Sequence, residues 1–169
     1  NGAGFSGEYA SNLSTANANV KLTANTTATT TNTNSIILNG YNITNPGGAT
    51  TLPIASASLA GNILINSAND IAGANTTLGI TTFELSILAT ANSTISANIG
   101  TATTGSLTLS GNGNVTLSAN NLYTGATSVN NLTLTYVLDN AIANGNVVVI
   151  GGIYDIGNYN DSVGIVTLQ

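Results

Sequence analysis

The chain has 169 residues but only one Lys or Arg against six Asp and Glu, and it contains no His, Cys, Met or Trp. These absences exclude Ser-His and Cys-His catalysis, His or thiolate metal sites and disulfides, and a single cation cannot form the basic patch that nucleic-acid binding requires. Asn and Thr dominate the polar residues, so solubility depends on amides and hydroxyls rather than on charge. We therefore expect one structural domain without catalytic residues rather than an enzyme.

Residues 1–34 differ in composition from the β domain that we expect at 35–169, because Ala, Asn, Ser and Thr dominate them. Such a segment buries too little apolar surface to order itself. We expect a neighbouring copy to hold this N-terminal arm as a donor strand; the alternative is an edge strand on its own domain. The side chains expected to fill the neighbour's groove are Phe5, Tyr9, Val20 and Leu22.

Lys21 is the only lysine and lies in an Asn-rich stretch of the arm. Some bacterial pilus and adhesin domains join a buried Lys to an Asn through an isopeptide bond assisted by an acidic residue, and Glu84 is the candidate for that acid here. The simpler interpretation is a solvated lysine on the exposed face of a strand.

From Ser35 onward, runs of Val, Ile, Leu and Thr alternate with Gly and Asn, which is the period-two pattern of β-strands. The turns Asn39-Gly40 and Gly151-Gly152 accept the positive φ angles of hairpin turns, and the turn at 111–114 fits either a hairpin or a solenoid corner. We therefore predict an all-β fold, an antiparallel β-sandwich or jelly roll with an N-terminal exchange strand. A parallel β-solenoid is the alternative.

A loop near the C-terminus brings together four oxygen-bearing side chains that suit Ca²⁺. Their spacing matches neither the EF-hand loop nor the Gly-rich calcium repeat, so an Asx-rich turn is the competing interpretation. These residues are Asp155, Asn158, Asn160 and Asp161. We expect no other cofactor.

Eight Asn-x-Ser/Thr sequons permit glycosylation without indicating it, because this composition produces about seven by chance. They begin at Asn12, Asn25, Asn42, Asn75, Asn92, Asn114, Asn131 and Asn160.

Residues 111–129 read Gly-Asn-Gly-Asn-Val-Thr-Leu-Ser-Ala-Asn-Asn-Leu-Tyr-Thr-Gly-Ala-Thr-Ser-Val. This stretch resembles the β-strand repeat of bacterial autotransporter passenger domains, where a Leu-Ser-Gly-x-Asn-x-Tyr-Thr-Gly-x-Thr core recurs. The resemblance implies a parallel β-solenoid at the cell surface. It covers one repeat, about residues 105–135, and Ala119 replaces a usual Gly. Elsewhere the predicted strand starts lack the near-constant period that stacked coils are expected to have.

The sequence as a whole predicts a structural subunit of an extracellular, pilus-like or thread-like filament. Such a subunit would polymerise with copies of itself by β-strand addition, without nucleic acid and without membrane insertion. The alternative is a surface adhesin or surface-layer segment on a β-solenoid, which contacts other cells or surfaces through exposed Asn, Thr and Tyr.

Overall fold

The structure is a computed structural model that describes residues 9–54, 61–67, 69–71, 76–80, 82–100, 104–142 and 144–169. Within these ranges, 18 short strands form three parallel sheets of eight, seven and three strands. We call them the front sheet, the back sheet and the third sheet.

The three sheets take their strands in turn along the chain. The front sheet contains β1 (Ala18–Lys21), β3 (Thr33–Ile37), β6 (Gly61–Ile65), β9 (Leu85–Ala89), β12 (Leu107–Gly111), β14 (Thr127–Asn130), β16 (Val147–Ile150) and β18 (Val166–Leu168). The back sheet contains β2 (Thr26–Thr27), β4 (Ile43–Thr44), β7 (Asn69–Ile71), β10 (Ser93–Ile95), β13 (Asn114–Leu117), β15 (Thr133–Tyr136) and β17 (Ile153–Asp155). The third sheet contains β5 (Thr50–Pro53), β8 (Thr76–Gly79) and β11 (Asn98–Ile99).

Each strand pairs with the strand one coil away instead of with its neighbour in sequence. In the front sheet β3 pairs in parallel with β1 and β6, and in the back sheet β13 pairs with β10 and β15. The chain therefore winds into a β-solenoid of about seven turns.

The core lies inside the coils, because alternate residues of each strand point inward. In the front sheet one inward column stacks a single aliphatic side chain from every coil, and each such buried side chain contributes roughly 1.5–3 kcal/mol by leaving water. The buried members of this column are Val20, Ile36, Ile63, Ile87, Leu109, Val129 and Val149.

The coils differ in length although their front strands stay in register. Ile36 pairs with Ile63, Ile63 with Ile87, Ile87 with Leu109 and Leu109 with Val129, so each of these coils is shorter than the one before it. The longer coils contain the third-sheet strands β5, β8 and β11. The excess residues are thus placed on the third side, away from the two long ladders.

Asn residues at the corners connect successive coils. Asn42 N donates to Asn25 Oδ1 at 2.9 Å, and Ile165 N donates to Asn146 Oδ1 at 2.9 Å. A short amide side chain at a corner satisfies a backbone N–H that the ladders leave unpaired. The high Asn content of the chain thus has a structural use.

The predicted antiparallel β-sandwich or jelly roll with an N-terminal exchange strand is wrong, and the solenoid named as its alternative is the fold. Asn39 and Gly40 adopt the positive φ values of 52° and 87° that the sequence led us to expect. The corner that they form nevertheless directs the chain from the front sheet into the back sheet, so β3 and β4 do not pair. The turns after β12 and β16 likewise join different sheets. A tight turn with positive φ serves a solenoid corner as well as a hairpin.

The described part of the N-terminal arm forms the first coil of the chain's own solenoid. Leu13, Val20 and Leu22 are buried, and Lys21 N donates to Ala10 O at 2.9 Å. β3 crosses the boundary that composition placed between residues 34 and 35. A few apolar side chains suffice here, because the ladder to β3 satisfies the backbone of β1.

Candidate functional site

The outer face of the front sheet carries two parallel columns of side chains with different chemistry. Parallel register stacks equivalent residues of successive coils at the strand spacing of roughly 4.8 Å. One column is polar and the next is aliphatic along β3, β6 and β9. The polar column is Ser35, Asn62 and Ser86, and the aliphatic column is Ile37, Leu64 and Leu88.

These two columns line an open groove of about 420 Å³, which we call the front groove. Ser110 of β12 lies at its end. Leu88 is 44% exposed, so the aliphatic column is accessible to a partner. The described lining residues carry no charge.

A second depression of about 350 Å³ lies on the third side of the C-terminal coils. Asn121 in its wall is buried, with Oδ1 accepting from Ile99 N at 2.8 Å and Nδ2 donating to Ala141 O at 2.5 Å. This amide therefore ties three successive coils together. The other described lining residues are Asn120, Leu122, Thr124, Asn140, Ile142 and Asn144.

Tyr123 and Tyr136 lie in the interior of the shorter coils, and the partly buried Tyr154 packs against this core. The hydroxyls of Tyr123 and Thr127 share a buried hydrogen bond of 2.7 Å, and the rings of Tyr136 and Tyr154 meet edge to face with centroids 5.5 Å apart. Burial raises the pKa of all three phenols. Burial also raises the pKa of Asp161, and the hydrogen bond that its carboxylate accepts from Ile142 N partly offsets this rise. The arrangement serves packing, and no nucleophile lies beside a base among these described side chains.

The residues predicted for a donor strand are not brought together as an exposed set. Val20 and Leu22 are fully buried in the chain's own core, whereas Tyr9 is exposed. Phe5 lies outside the described residues. Donor-strand exchange conflicts with this solenoid, because two of the side chains that would enter a neighbour already complete the first coil.

Lys21 and Glu84 are both exposed and lie at different levels of the stack. Lys21 ends β1, and two further front strands, β3 and β6, separate it from β9, which follows Glu84. The Glu84 carboxylate accepts a hydrogen bond from the Thr108 hydroxyl. The structure therefore does not bring the predicted isopeptide pair together.

Both predicted calcium carboxylates accept hydrogen bonds from backbone N–H groups. Asp155 Oδ1 accepts from Gly157 N at 2.8 Å, which is an Asx turn, and Asp161 Oδ2 accepts from Ile142 N at 3.1 Å. Asn158 and Asn160 are exposed. Among the residues whose side chains are described, no three acidic groups lie close enough together to hold a metal ion. Calcium binding stays a prediction.

Four of the sequons occupy one corner of the solenoid, at the start of four back-sheet strands. At this corner Asn114 N donates to Asn92 Oδ1 at 3.0 Å, which repeats the Asn42–Asn25 bond found earlier in the stack. A corner Asn followed by an inward residue and an outward Thr forms a sequon. The repeated corner of the fold therefore explains why sequons recur. The four are Asn25, Asn42, Asn92 and Asn114; Asn12, Asn131 and Asn160 are exposed, and Asn75 lies outside the described residues. Glycosylation stays a prediction.

Sequence reasoning missed the front groove, although a signal for it was present. The triplets 35–37, 62–64 and 86–88 read Ser-Ile-Ile, Asn-Ile-Leu and Ser-Ile-Leu. Aligned with one another, they give the front-sheet register and both outer columns. The unequal spacing of these triplets concealed the repeat.

Comparison with known proteins finds no matching protein family, no matching curated protein and no matching solved structure. The resemblance of one repeat to autotransporter passenger domains therefore stays a prediction. Within the described residues, no helix is long and apolar enough to cross a membrane.

Proposed function

We propose that this chain is a segment of an extracellular, cell-surface β-solenoid that acts as an adhesin or surface-layer segment. The observation that carries the proposal is the continuous parallel front sheet, whose eight strands present in-register columns to the outside. Such a stack is a stiff scaffold that displays repeated side chains at fixed spacing. Its role is structural and adhesive, and no chemical reaction is assigned to it.

The composition supports a role in contact with surfaces. The outer columns consist largely of hydroxyl, amide and aliphatic groups, which recognise a partner by hydrogen bonding and apolar contact instead of by charge. Other cells or surfaces are the partners that we propose.

Self-association with copies of this chain belongs to the proposal. The chain has only one Lys or Arg and six Asp and Glu, so charge gives little protection against pairing between copies. This contact does not use the N-terminal arm as a donor strand, because Val20 and Leu22 are buried in the chain's own core.

The location is tested by labelling intact source cells with antibodies raised against the purified chain. We expect labelling without permeabilisation, and removal of the label by an external protease. Labelling that requires permeabilised cells would contradict the proposal. Sedimentation of the purified chain tests self-association separately: we expect a species larger than the monomer, and a monomer at high concentration would contradict this part of the proposal.

A further inference from the structure

We propose that the front groove binds an uncharged glycan chain that lies along the solenoid axis. The inference deepens the adhesive function proposed above and rests on it for its biological role. Binding itself is a property of the groove and is measured on the purified chain.

The absence of charge among the described lining residues argues against a charged polymer as the occupant of the groove. Its described lining residues are Ser, Asn, Ile and Leu. Lys21 precedes Ile37 in the aliphatic column, and Glu84 contacts Thr108, which follows Ser86 in the polar column. One cation and one carboxylate therefore lie beyond opposite ends of the groove. They give no net attraction for an anionic polysaccharide.

The fold does not require the aliphatic column. The same outer column continues as Ser110 and Asn130 in the next two coils, so the sheet accepts polar residues there. Ile37, Leu64 and the exposed Leu88 thus place three consecutive aliphatic side chains where the next two coils have polar ones. This run of aliphatic side chains coincides with the groove and ends where the groove ends.

The position of the groove excludes a peptide that binds by adding a strand. β3, β6 and β9 are each paired on both sides, so no backbone edge is available at the groove. The occupant must be recognised by side chains alone.

The two columns match the two kinds of surface on a sugar ring. Ser and Asn side chains both donate and accept hydrogen bonds, as sugar hydroxyls require. The Ile and Leu side chains offer an apolar surface to the C–H face of the ring. Because both columns repeat over the three coils of β3, β6 and β9, a polymer of repeating units fits them better than a single small molecule does.

Affinity electrophoresis and calorimetry of the purified chain with soluble uncharged polysaccharides (a β-glucan, a mannan and a galactan) test the proposal, with alginate as the anionic comparison. We expect at least one uncharged polymer to bind with little dependence on salt. The Leu64→Ser/Leu88→Ser variant, which copies Ser110 of the same column, should bind it at least tenfold more weakly. Ile150→Ser is the matched control, because Ile150 continues the column outside the groove, and it should bind as the wild type does.

Melting curves show whether each variant is folded, and Asn62→Ala in the polar column provides a second variant that should also weaken binding. Four results would overturn the proposal: no binding to any uncharged polymer, binding to alginate alone, equal binding by wild type and double variant, or self-association that depends on Leu64 and Leu88. Surface labelling of cells without glycan binding would overturn this inference and leave the proposed function standing.

Discussion

The middle coils, from β3 to β11, and the C-terminal coils, from β12 to β18, close the same core in different ways. The middle coils have a third strand that contributes Leu52, Leu78 and Ile99. In the described part of the C-terminal coils no third strand is present, and Tyr123 is among the side chains that fill the interior. The comparison shows that the front and back sheets fix the register of the solenoid. The third side accepts coils of different length when larger or smaller side chains fill the interior there.

The largest expected effect is at Gly111, where the two regions meet. An added Cβ would collide with Ala89 O, and the φ of 127° is unfavourable for any other residue. Because the obstacle is backbone of the coil below, we expect Gly111→Ala to lower the free energy of unfolding by about 4 kcal/mol or more. Gly48→Ala is the control, since its added Cβ meets nothing within 4 Å. Chemical denaturation measures both, and equal stabilities would show that the coils are not stacked as described.

Truncating a buried side chain should cost more stability in the C-terminal coils, at Tyr123, than in the middle coils, at Leu78, because the cavity left at Tyr123 is larger. We expect a loss of about 3–5 kcal/mol for Tyr123→Ala, because a fully buried aromatic ring is removed where no third strand can relax into the space. Leu78→Ala in the third sheet should cost less, toward the low end of about 2–5 kcal/mol. Tyr123→Phe removes only the bond to Thr127 and should cost about 1 kcal/mol. A Tyr123→Ala variant as stable as the wild type would contradict this assignment of the core.

Asn121→Ala tests whether corner amides replace the missing third strand. The variant loses the bonds to Ile99 N and Ala141 O and leaves both groups without those partners, so we expect a loss of about 2 kcal/mol. Asn120→Ala, at an exposed neighbouring position, should change stability by less than about 0.5 kcal/mol. The same denaturation experiment applies, and similar losses at both positions would rule out a specific role for Asn121.

The smallest expected effect is a pH dependence at the C-terminal end. Burial raises the pKa of Asp161 in the folded chain, so the folded state binds this proton more tightly than the unfolded state does. This contribution to stability is therefore complete below the unfolded pKa of about 3.9 and is lost as the pH rises through the folded pKa. Melting temperatures between pH 3 and 7 should fall less steeply for Asp161→Asn than for the wild type. Identical slopes would exclude the effect.

The all-β class and the conformation of one turn could be predicted from the sequence, whereas the pairing of the strands could not. The all-β class followed from the alternating strands, and the positive φ of Asn39 and Gly40 followed from their residue types. Parallel pairing did not follow, because a corner and a hairpin turn demand the same residues. The inward direction shared by Val20 and Leu22 was also readable, but composition could not tell whether their core was their own or a neighbour's.

The front groove depends on pairing between residues far apart in the chain, such as Ile36 with Ile63 and Ile63 with Ile87. A single sequence without a constant period does not reveal such pairs. The Ser-Ile-Ile, Asn-Ile-Leu and Ser-Ile-Leu triplets contain this information only after the register is known.

Distances between spin labels along one outer column test the parallel, in-register stack most directly. The chain has no Cys, so pairs of introduced cysteines label cleanly at Ser35 with Ser128 and at Ser35 with Thr167. These pairs are separated by four and six coil steps of one column. The solenoid predicts Cβ separations of about 19 Å and about 29 Å, increasing in proportion to the number of coils. Separations that do not increase from the first pair to the second would contradict the stack.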